Sequence, residues 1–237
     1  MLLQDLVIPN LPAPFYHFEY DGAGRVRTAS FASGLNTYDV SYDGNRISEM
    51  RNTIIVNHDR LQYSYDDLGR VSGVTYADAT GRIYTTLFFW YDGARLTKLE
   101  RAHRVDAGFI IDKTMSFTYY ADGNVQEITE HRPELDGQPA TTTVDRFEQY
   151  DDRINVDGFS LLHDDFFDHL VLLPDVQLQH GNPAREIRTG DGLNYTVIYQ
   201  YVYDASNRPV SKTGNGTFDN GADAGRRFQT QSLFTYY

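Results

Sequence analysis

The sequence contains no cysteine, and this absence removes several chemical possibilities. Disulfide bonds, a thiolate nucleophile and a cysteine-ligated zinc site are all excluded. No run of residues approaches the roughly 20 apolar residues that a membrane-spanning helix requires. The first residues, Met1 to Asp5, have neither a basic region nor an apolar core, so they do not resemble a signal peptide. We expect no membrane-spanning segment, and either a cytosolic protein or one whose export signal is absent from this chain.

Basic side chains are also outnumbered: 33 acidic and 21 basic residues give a net charge of -12 at pH 7. An acidic surface repels nucleic-acid phosphates and anionic lipids, so neither a nucleic acid nor a membrane surface is an expected partner. Aromatic residues, by contrast, are abundant, with 18 tyrosines and 14 phenylalanines among 237 residues. Tyrosine suits β-strands with one wet face, because its ring can pack while its hydroxyl group reaches water.

One phrase recurs along the chain: Tyr-Asp, a short polar turn with Gly or Asn, Arg, and then an aliphatic residue. Its full or degenerate copies occupy residues 20–26, 42–47, 65–71, 91–96, 119–125, 150–154 and 203–209. The longer copies suit a type I turn followed by a glycine with positive φ. Copies that are one residue shorter suit a two-residue type I′ turn. The Asp side chain can cap backbone amides within the turn, so each copy predicts a β-hairpin.

The residues around these turns alternate between inward and outward types, as in Tyr195–Tyr203, which favours antiparallel strands with one solvated face. We predict a single all-β domain over residues 15–237, preceded by an N-terminal extension over residues 1–14. Its hairpins are expected to form an antiparallel meander, giving a curved or partly closed sheet. Turn chemistry does not decide between an open sheet and a barrel.

The spacing of the turns widens before Tyr203, and the intervening segment 159–173 has a helical period. On a helical wheel its apolar residues gather on one side and its acidic residues on the other, and Pro174 follows the segment. We therefore predict one helix inserted late in the chain, lying over the apolar sheet surface near Ile198 and Val202.

The Tyr-Asp phrase resembles the YD repeat of RHS-type proteins, whose many tens of repeats form hollow shells. The chain is more similar to short Bacteroidetes-type envelope lipoproteins of unknown function, which combine degenerate YD hairpins, a late helical insert, an Asn-Pro phrase and final Tyr-rich strands. The matching residues are 159–173, 181–187, 199–204 and 234–237. The resemblance implies a location in the cell envelope or outside the cell, as a lipoprotein whose signal and lipidated Cys are absent from this chain. It implies no reaction and no catalytic residue.

The strand around Trp90 is the candidate ligand site. Alternation fails here, so that Leu87, Phe89 and Tyr91 face one way and Phe88 and Trp90 face the other. This pattern fits a strand buried on both sides, which is favoured because exposed Phe in a sheet promotes aggregation. It also fits an aromatic platform for a sugar ring or a peptide. The candidate ligand-binding residues are Phe88, Trp90 and Tyr91.

Asp165 and His169 are weak candidates for metal ligands. They lie four residues apart, the spacing with which one helical face offers two ligands. Because no third ligand can be named, we expect an acid–histidine pair on a solvated helix face, and no cofactor.

The sequence contains no nucleophile elbow, P-loop or His-Glu-x-x-His motif, so we do not expect an enzyme. The leading hypothesis is a non-catalytic cell-envelope module that binds or supports a glycan, a peptide or an envelope protein. One alternative is a carrier that encloses an apolar ligand under its helix. Another is a glycoside hydrolase with two carboxyl groups about 5 to 10 Å apart. The sequence specifies neither the ligand nor the oligomeric state.

Overall fold

The computed structural model describes residues 2–54, 58–163 and 169–237, and its sixteen strands form a closed antiparallel β-barrel. The strands are β1 (Leu3–Val7), β2 (Tyr16–Tyr20), β3 (Val26–Phe31), β4 (Asn36–Asp43), β5 (Arg46–Asn52), β6 (Arg60–Tyr65), β7 (Val71–Ala77), β8 (Ile83–Asp92), β9 (Arg95–Val105), β10 (Gly108–Tyr119), β11 (Val125–Arg132), β12 (Thr141–Tyr150), β13 (Pro183–Gly190), β14 (Tyr195–Tyr203), β15 (Pro209–Phe218) and β16 (Arg227–Tyr236). Two short 3₁₀ turns cover Gly158–Leu161 and Gly221–Asp223. Among the described residues there is no α-helix, and thus no helix long and apolar enough to cross a membrane.

The predicted all-β antiparallel meander is confirmed, but the predicted partly closed sheet is wrong. Closure involves the segment that was predicted to be an N-terminal extension, because β1 pairs with both β2 and β16. Leu6 on β1 lies opposite Phe234 on β16, and both side chains are buried. A closed barrel leaves no unpaired strand edge. This pairing joins the two ends of the chain, so the hairpin turns carry no signature of it.

The Tyr-Asp turn after β6 shows the predicted capping. Asp66 Oδ1 accepts hydrogen bonds from the backbone N–H groups of Leu68 at 3.0 Å and Arg70 at 2.9 Å. Asp66 Oδ2 accepts from Nε of Arg70 at 2.7 Å. Gly69 has a φ of +83°, a conformation that glycine adopts without steric penalty. The Asp side chain therefore fixes both the turn and the arginine that follows it.

A tyrosine near the end of each even-numbered strand acts across strands, and on β2, β4, β6, β8 and β12 it is the tyrosine that directly precedes the Asp. Tyr91, near the end of β8, donates a hydrogen bond from its hydroxyl group to the carbonyl oxygen of Val71, at the start of β7, at 2.8 Å. The guanidinium of Arg70 lies 4.8 Å from the centroid of the Tyr91 ring. The other even-numbered strands make the same bond to the preceding strand: Tyr20 to Leu3, Tyr42 to Val26, Tyr65 to Ile47, Tyr119 to Leu96, Tyr150 to Val125, Tyr201 to Pro183 and Tyr236 to Pro209. We call these bonds the rim latches.

The two faces of the barrel wall differ in polarity. Along β4, Tyr38 and Val40 pack into the interior, whereas Asp39 and Ser41 are exposed on the outside. A barrel wall that faces lipid carries an apolar outer band about 25 Å tall and a polar interior. On β4 the charged and hydroxyl side chains lie outside and the apolar ones inside, the reverse of that lipid-facing pattern.

The described residues between β12 and β13, 151–163 and 169–182, lie in the interior of the barrel, and we call them the lumen segment. On one side of the barrel, the hydroxyl group of Tyr63 on β6 donates to the carbonyl oxygen of Leu172 at 2.7 Å. Nearly half the circumference away, Nζ of Lys212 on β15 lies 3.0 Å from Oδ2 of Asp157. Apolar side chains of the segment also join the buried core formed by the strands. The chain itself thus fills much of the lumen.

The helix predicted at about residues 159–173 is wrong. Gly158–Leu161 form one 3₁₀ turn, residues 169–173 have no regular structure, and residues 164–168 lie outside the described part of the chain. The amphipathic period was misleading, because a segment enclosed by a barrel meets apolar walls on several sides and buries its apolar residues without a helical stripe. Ile198 and Val202, which the helix was expected to cover, lie on the outer wall and are 47% and 59% exposed.

Candidate functional site

Two cavities with different chemistry lie between the lumen segment and the barrel wall. The apolar cavity, of about 340 Å³, is lined chiefly by apolar side chains, among them Phe18, Val26, Ile47, Phe159 and Leu172. The polar cavity, of about 420 Å³, lies against β10 to β13 and is lined by charged side chains. Both volumes fall within the range of about 300 to 1,000 Å³ that is typical of small-molecule sites.

The polar cavity is built from inward positions of four neighbouring strands. Side chains alternate across a sheet, so Glu186 and Arg188, two residues apart on β13, reach the same face. The register between β12 and β13 places Asp145 opposite Arg188. The remaining lining residues are Tyr16, Lys113, Met115, Ile128, Glu130, Phe147, Ser160, Leu161, Leu162 and His163.

Asp145 and Arg188 form a bidentate ion pair in this wall. Nε and Nη2 of Arg188 donate to Oδ1 and Oδ2 of Asp145, each at 2.6 Å. These hydrogen bonds raise the pKa of Arg188 above its usual value, against the opposing effect of burial. The pair therefore holds a planar set of donors and acceptors in a fixed orientation.

Glu186 is oriented by two tyrosines of β14. The hydroxyl group of Tyr195 donates to Oε1 at 3.0 Å, and that of Tyr199 donates to Oε2 at 2.6 Å. Burial, and then the neighbouring charge of Glu186, raise the pKa of both phenols, so both remain protonated donors at neutral pH. Each carboxylate oxygen has a second lone pair, which leaves Glu186 further capacity to accept hydrogen bonds.

Lys113 and Glu130 extend the charged wall on β10 and β11. Lys113 is 2% exposed although its side chain is cationic. Oε1 of Glu130 accepts from Nε of Arg132 at 2.7 Å. On the side of the lumen segment, Nδ1 of His163 lies 2.6 Å from the hydroxyl oxygen of Tyr16. This contact fixes the described end of the segment against β2.

The structure separates the residues that were predicted to form an aromatic platform. Phe88 and Trp90 lie on the outer wall, 40% and 39% exposed, with their ring centroids 6.3 Å apart. Tyr91 faces the interior, where its hydroxyl group forms a rim latch. Nζ of Lys98, on the adjacent strand, lies 3.8 Å from the centroid of a Trp90 ring, a cation–π contact. The strand is thus buried on its inner face alone, and Phe88 with Trp90 stays a candidate sugar platform.

His169 belongs to a buried polar cluster instead of a solvated helix face. Its Nδ1 lies 2.5 Å from the hydroxyl oxygen of Tyr38 and 3.5 Å from Oδ2 of Asp59. Burial opposes ionisation of Asp59, but hydrogen bonds from His169 and Tyr38 keep the pKa of this carboxyl below its usual value. Asp165, the other metal candidate, lies outside the described residues. Within the described ranges, no three or more His, Cys, Asp or Glu side chains are grouped so as to hold a metal ion.

The fold has counterparts among solved structures, although no family model and no curated protein matches the chain. A porin-like protein from Bacteroides vulgatus aligns with a TM-score of 0.66 and 13% identity, over 100% of this chain and 99% of that chain. A porin-like protein from Bacteroides uniformis aligns with a TM-score of 0.61 and 15% identity, over 93% and 88%. A TcdB2–TccC3 structure aligns over 87% of this chain and 14% of that chain, with a TM-score of 0.34. The two Bacteroides proteins share the fold.

The sequence did not reveal the polar cavity, although a signal for it exists. Glu186 and Arg188 have the spacing of one strand face, but a charged face of a sheet is ordinarily the solvated one. The decisive fact is the register of β13 with β14, which places Glu186 opposite the buried Val197. Without that register, the inward direction of Glu186 cannot be assigned.

Proposed function

We propose that this chain is a non-catalytic binding module of the cell envelope and that its ligand occupies the polar cavity. The observation that carries the proposal is the wall of β12 and β13, where Asp145, Glu186 and Arg188 are held in fixed orientations around a cavity of about 420 Å³. Polar groups that are ordered in advance bind a ligand without the entropic cost of being ordered by it.

The lumen segment supports binding over conduction. Barrels of 16 to 18 strands that act as porins leave an aqueous channel, whereas here the lumen segment and the strands share one buried core. The polar outer face of β4 supports a module surrounded by water within the envelope. The envelope location agrees with the porin-like character of both Bacteroides neighbours. The lipid attachment implied by the resemblance is part of this proposal, and detergent fractionation of the native source would test it.

The pairing of the acidic groups supports binding without turnover. A glycoside hydrolase needs one protonated carboxyl group as general acid and a second carboxylate as nucleophile or base. In the polar cavity, Asp145 is bound to Arg188 and Glu186 accepts hydrogen bonds from two phenols. Both carboxyl groups are held in place as acceptors of these hydrogen bonds, which is the arrangement of a binding site.

The test is binding of the labelled protein to arrays of bacterial, host and dietary glycans and of peptides, with chromatography of each ligand that binds. We expect saturable binding and unchanged ligands. Ser160→Trp, which places a large ring in the polar cavity, should abolish binding, and Trp90→Ala on the outer wall should retain it. The converse pattern would move the site to Phe88 and Trp90. Shortened glycans would overturn the non-catalytic role, and no binding to any array would overturn the binding role.

A second candidate function rests on the apolar cavity, whose lining would suit an acyl chain or another apolar ligand. In this case the lumen segment, and not a helix, covers the ligand. Native mass spectrometry of the purified protein before and after organic extraction provides the test. A mass that falls on extraction, with lipid in the extract, is expected for a carrier, and an unchanged mass would exclude this function.

A further inference from the structure

The charges in and beside the polar cavity balance one another. The cavity lining has three carboxylates, Glu130, Asp145 and Glu186, and two cations, Lys113 and Arg188. Arg132 lies outside the lining but is paired with Glu130, so that cations and carboxylates are equal in number. Arg188 is likewise paired with Asp145. A ligand with a net charge would have to compete with these existing ion pairs. New contacts would therefore not offset the cost of removing water from its charge. The site is therefore better matched to a neutral ligand.

The same groups offer directional hydrogen bonds. A guanidinium has five N–H donors and a carboxylate has about four lone-pair sites, so the bidentate pair of Asp145 and Arg188 leaves donors and acceptors unused. Glu186 likewise keeps acceptor capacity beside its two tyrosine partners. Neighbouring hydroxyl groups on one ligand, each both donor and acceptor, can bind such fixed planar groups in pairs.

Apolar surface lies beside these polar groups. Met115, Ile128 and Phe147 line the same cavity and are 5%, 4% and 3% exposed. A ligand that has hydroxyl groups along its edge and C–H groups on its face would use both kinds of surface. A sugar ring has this construction, whereas a small inorganic ion would leave the apolar surface without a partner.

We infer that the polar cavity binds one or two neutral sugar residues, with Asp145, Arg188 and Glu186 contacting the hydroxyl groups and Phe147 contacting a ring face. This inference rests on the proposed function and adds to it the ligand class and the position of the site. It also distinguishes the lumen from the outer pair of Phe88 and Trp90 as the place where a glycan binds.

The experiment is isothermal titration of the full chain with neutral mono- and disaccharides of glucose, galactose, mannose and N-acetylglucosamine. Sialic acid and glucosamine serve as anionic and cationic probes of similar size. The variants are Glu186→Gln, which keeps the shape of the side chain, and Ser160→Trp, which fills the cavity. Glu49→Gln on the outer wall is the matched control, and circular dichroism establishes that each variant is folded.

We expect at least one neutral sugar to bind, with affinity reduced about tenfold or more by Glu186→Gln, lost in Ser160→Trp and unchanged in Glu49→Gln. Preference for either charged probe would overturn the ligand class. Sugar binding that survives both lumen variants but is lost in Trp90→Ala would overturn the position of the site. Binding of an array peptide with no sugar bound would refute this inference and leave the proposed binding module standing. If no glycan and no peptide binds on any array, both this inference and the proposed binding module are refuted.

Discussion

Replacing Tyr91 with Phe is the most direct test of the rim latches. The substitution keeps the ring, its packing and the position of Arg70 over it, and removes the hydroxyl group that donates to the carbonyl oxygen of Val71 at 2.8 Å. Val71 is 1% exposed, so water cannot readily replace the lost donor. Burial raises the pKa of Tyr91 above its usual value, which shows that the hydroxyl group is a protonated donor throughout the working pH range.

The expected loss of stability follows from this geometry. A typical intramolecular hydrogen bond contributes about 1 kcal/mol net, and a buried acceptor left without its donor costs about 1 to 3 kcal/mol. We expect Tyr91→Phe to lower the free energy of unfolding by about 1 to 2 kcal/mol. For a domain of this size, each kcal/mol lowers Tm by about 2 to 4 °C. Urea unfolding followed by tyrosine fluorescence and by circular dichroism would measure the change, with an unaltered m-value showing that the transition is comparable.

Tyr237→Phe is the matched control, because Tyr237 is 54% exposed and its hydroxyl group makes a longer bond, 3.3 Å, to the carbonyl oxygen of Phe18. We expect this control to change stability by less than about 0.5 kcal/mol. The double variant Tyr91→Phe with Tyr150→Phe should show additive losses, because the two latches lie on different strand pairs. A Tyr91→Phe protein as stable as the wild type would refute the latch as a source of stability.

Three further predictions concern the turns, the wall and the lumen segment. Hydrogen bonds from its own turn hold the pKa of Asp66 below its usual value of 3.8. The stability that this lowered pKa gives the folded protein is therefore present above the usual pKa, and it is lost as the pH falls through the lower pKa of the folded state. Urea midpoints from pH 7 to pH 2 should fall less steeply in Asp66→Asn. Gly216→Ala would bring a Cβ atom to 2.2 Å from the Phe228 ring, and it should lower the free energy of unfolding by about 1 to 3 kcal/mol. Adding Phe228→Leu should restore part of this loss. A Gly216→Ala protein as stable as the wild type would contradict the packing. Tyr63→Phe removes the donor to the Leu172 carbonyl oxygen and should accelerate hydrogen exchange in residues 169–176, and unchanged exchange would argue against anchoring at that point.

The turns could be predicted because their causes lie within a few residues. In the copy at residues 65–71, the carboxylate of Asp66, the glycine with positive φ and the following arginine are all local in sequence, and the structure reproduces each of them. The alternation of β14 was equally visible, because period two follows from strand geometry alone. Local rules of this kind produced the hairpins and the all-β class.

Closure and the polar cavity could not be predicted, because both depend on register between distant strands. The pairing of Leu6 with Phe234 joins residues at opposite ends of the chain, and no local pattern encodes it. Glu186 became an inward residue through its position opposite Val197. The lumen segment failed for a different reason: the apolar residues of 159–173 have a helical period, yet among the described ones Leu170 and Val171 are buried in an irregular conformation. An amphipathic period indicates a helix when the segment packs against a single apolar surface. It does not do so when apolar walls surround the segment.

The recurrence of Tyr beside Asp has an explanation that goes beyond turn chemistry. The turn at residues 78–82 lies at the opposite rim and uses the same carboxylate capping. Oδ1 of Asp78 accepts hydrogen bonds from the backbone N–H groups of Thr80 and Arg82. In this turn Ala77 occupies the position before the Asp, where the Tyr-Asp turns have Tyr. At the rim of the Tyr-Asp turns, turns join β2 to β3, β4 to β5 and so on, while the intervening strand pairs have no connection at that rim. The rim latches bridge those intervening pairs. Turn and latch thus alternate around the rim, with the lumen segment replacing the turn between β12 and β13, and the chain ends meeting between β16 and β1. The Asp therefore specifies the turn. The latch tyrosine specifies the end of a strand pair that is held together where no turn connects the two strands.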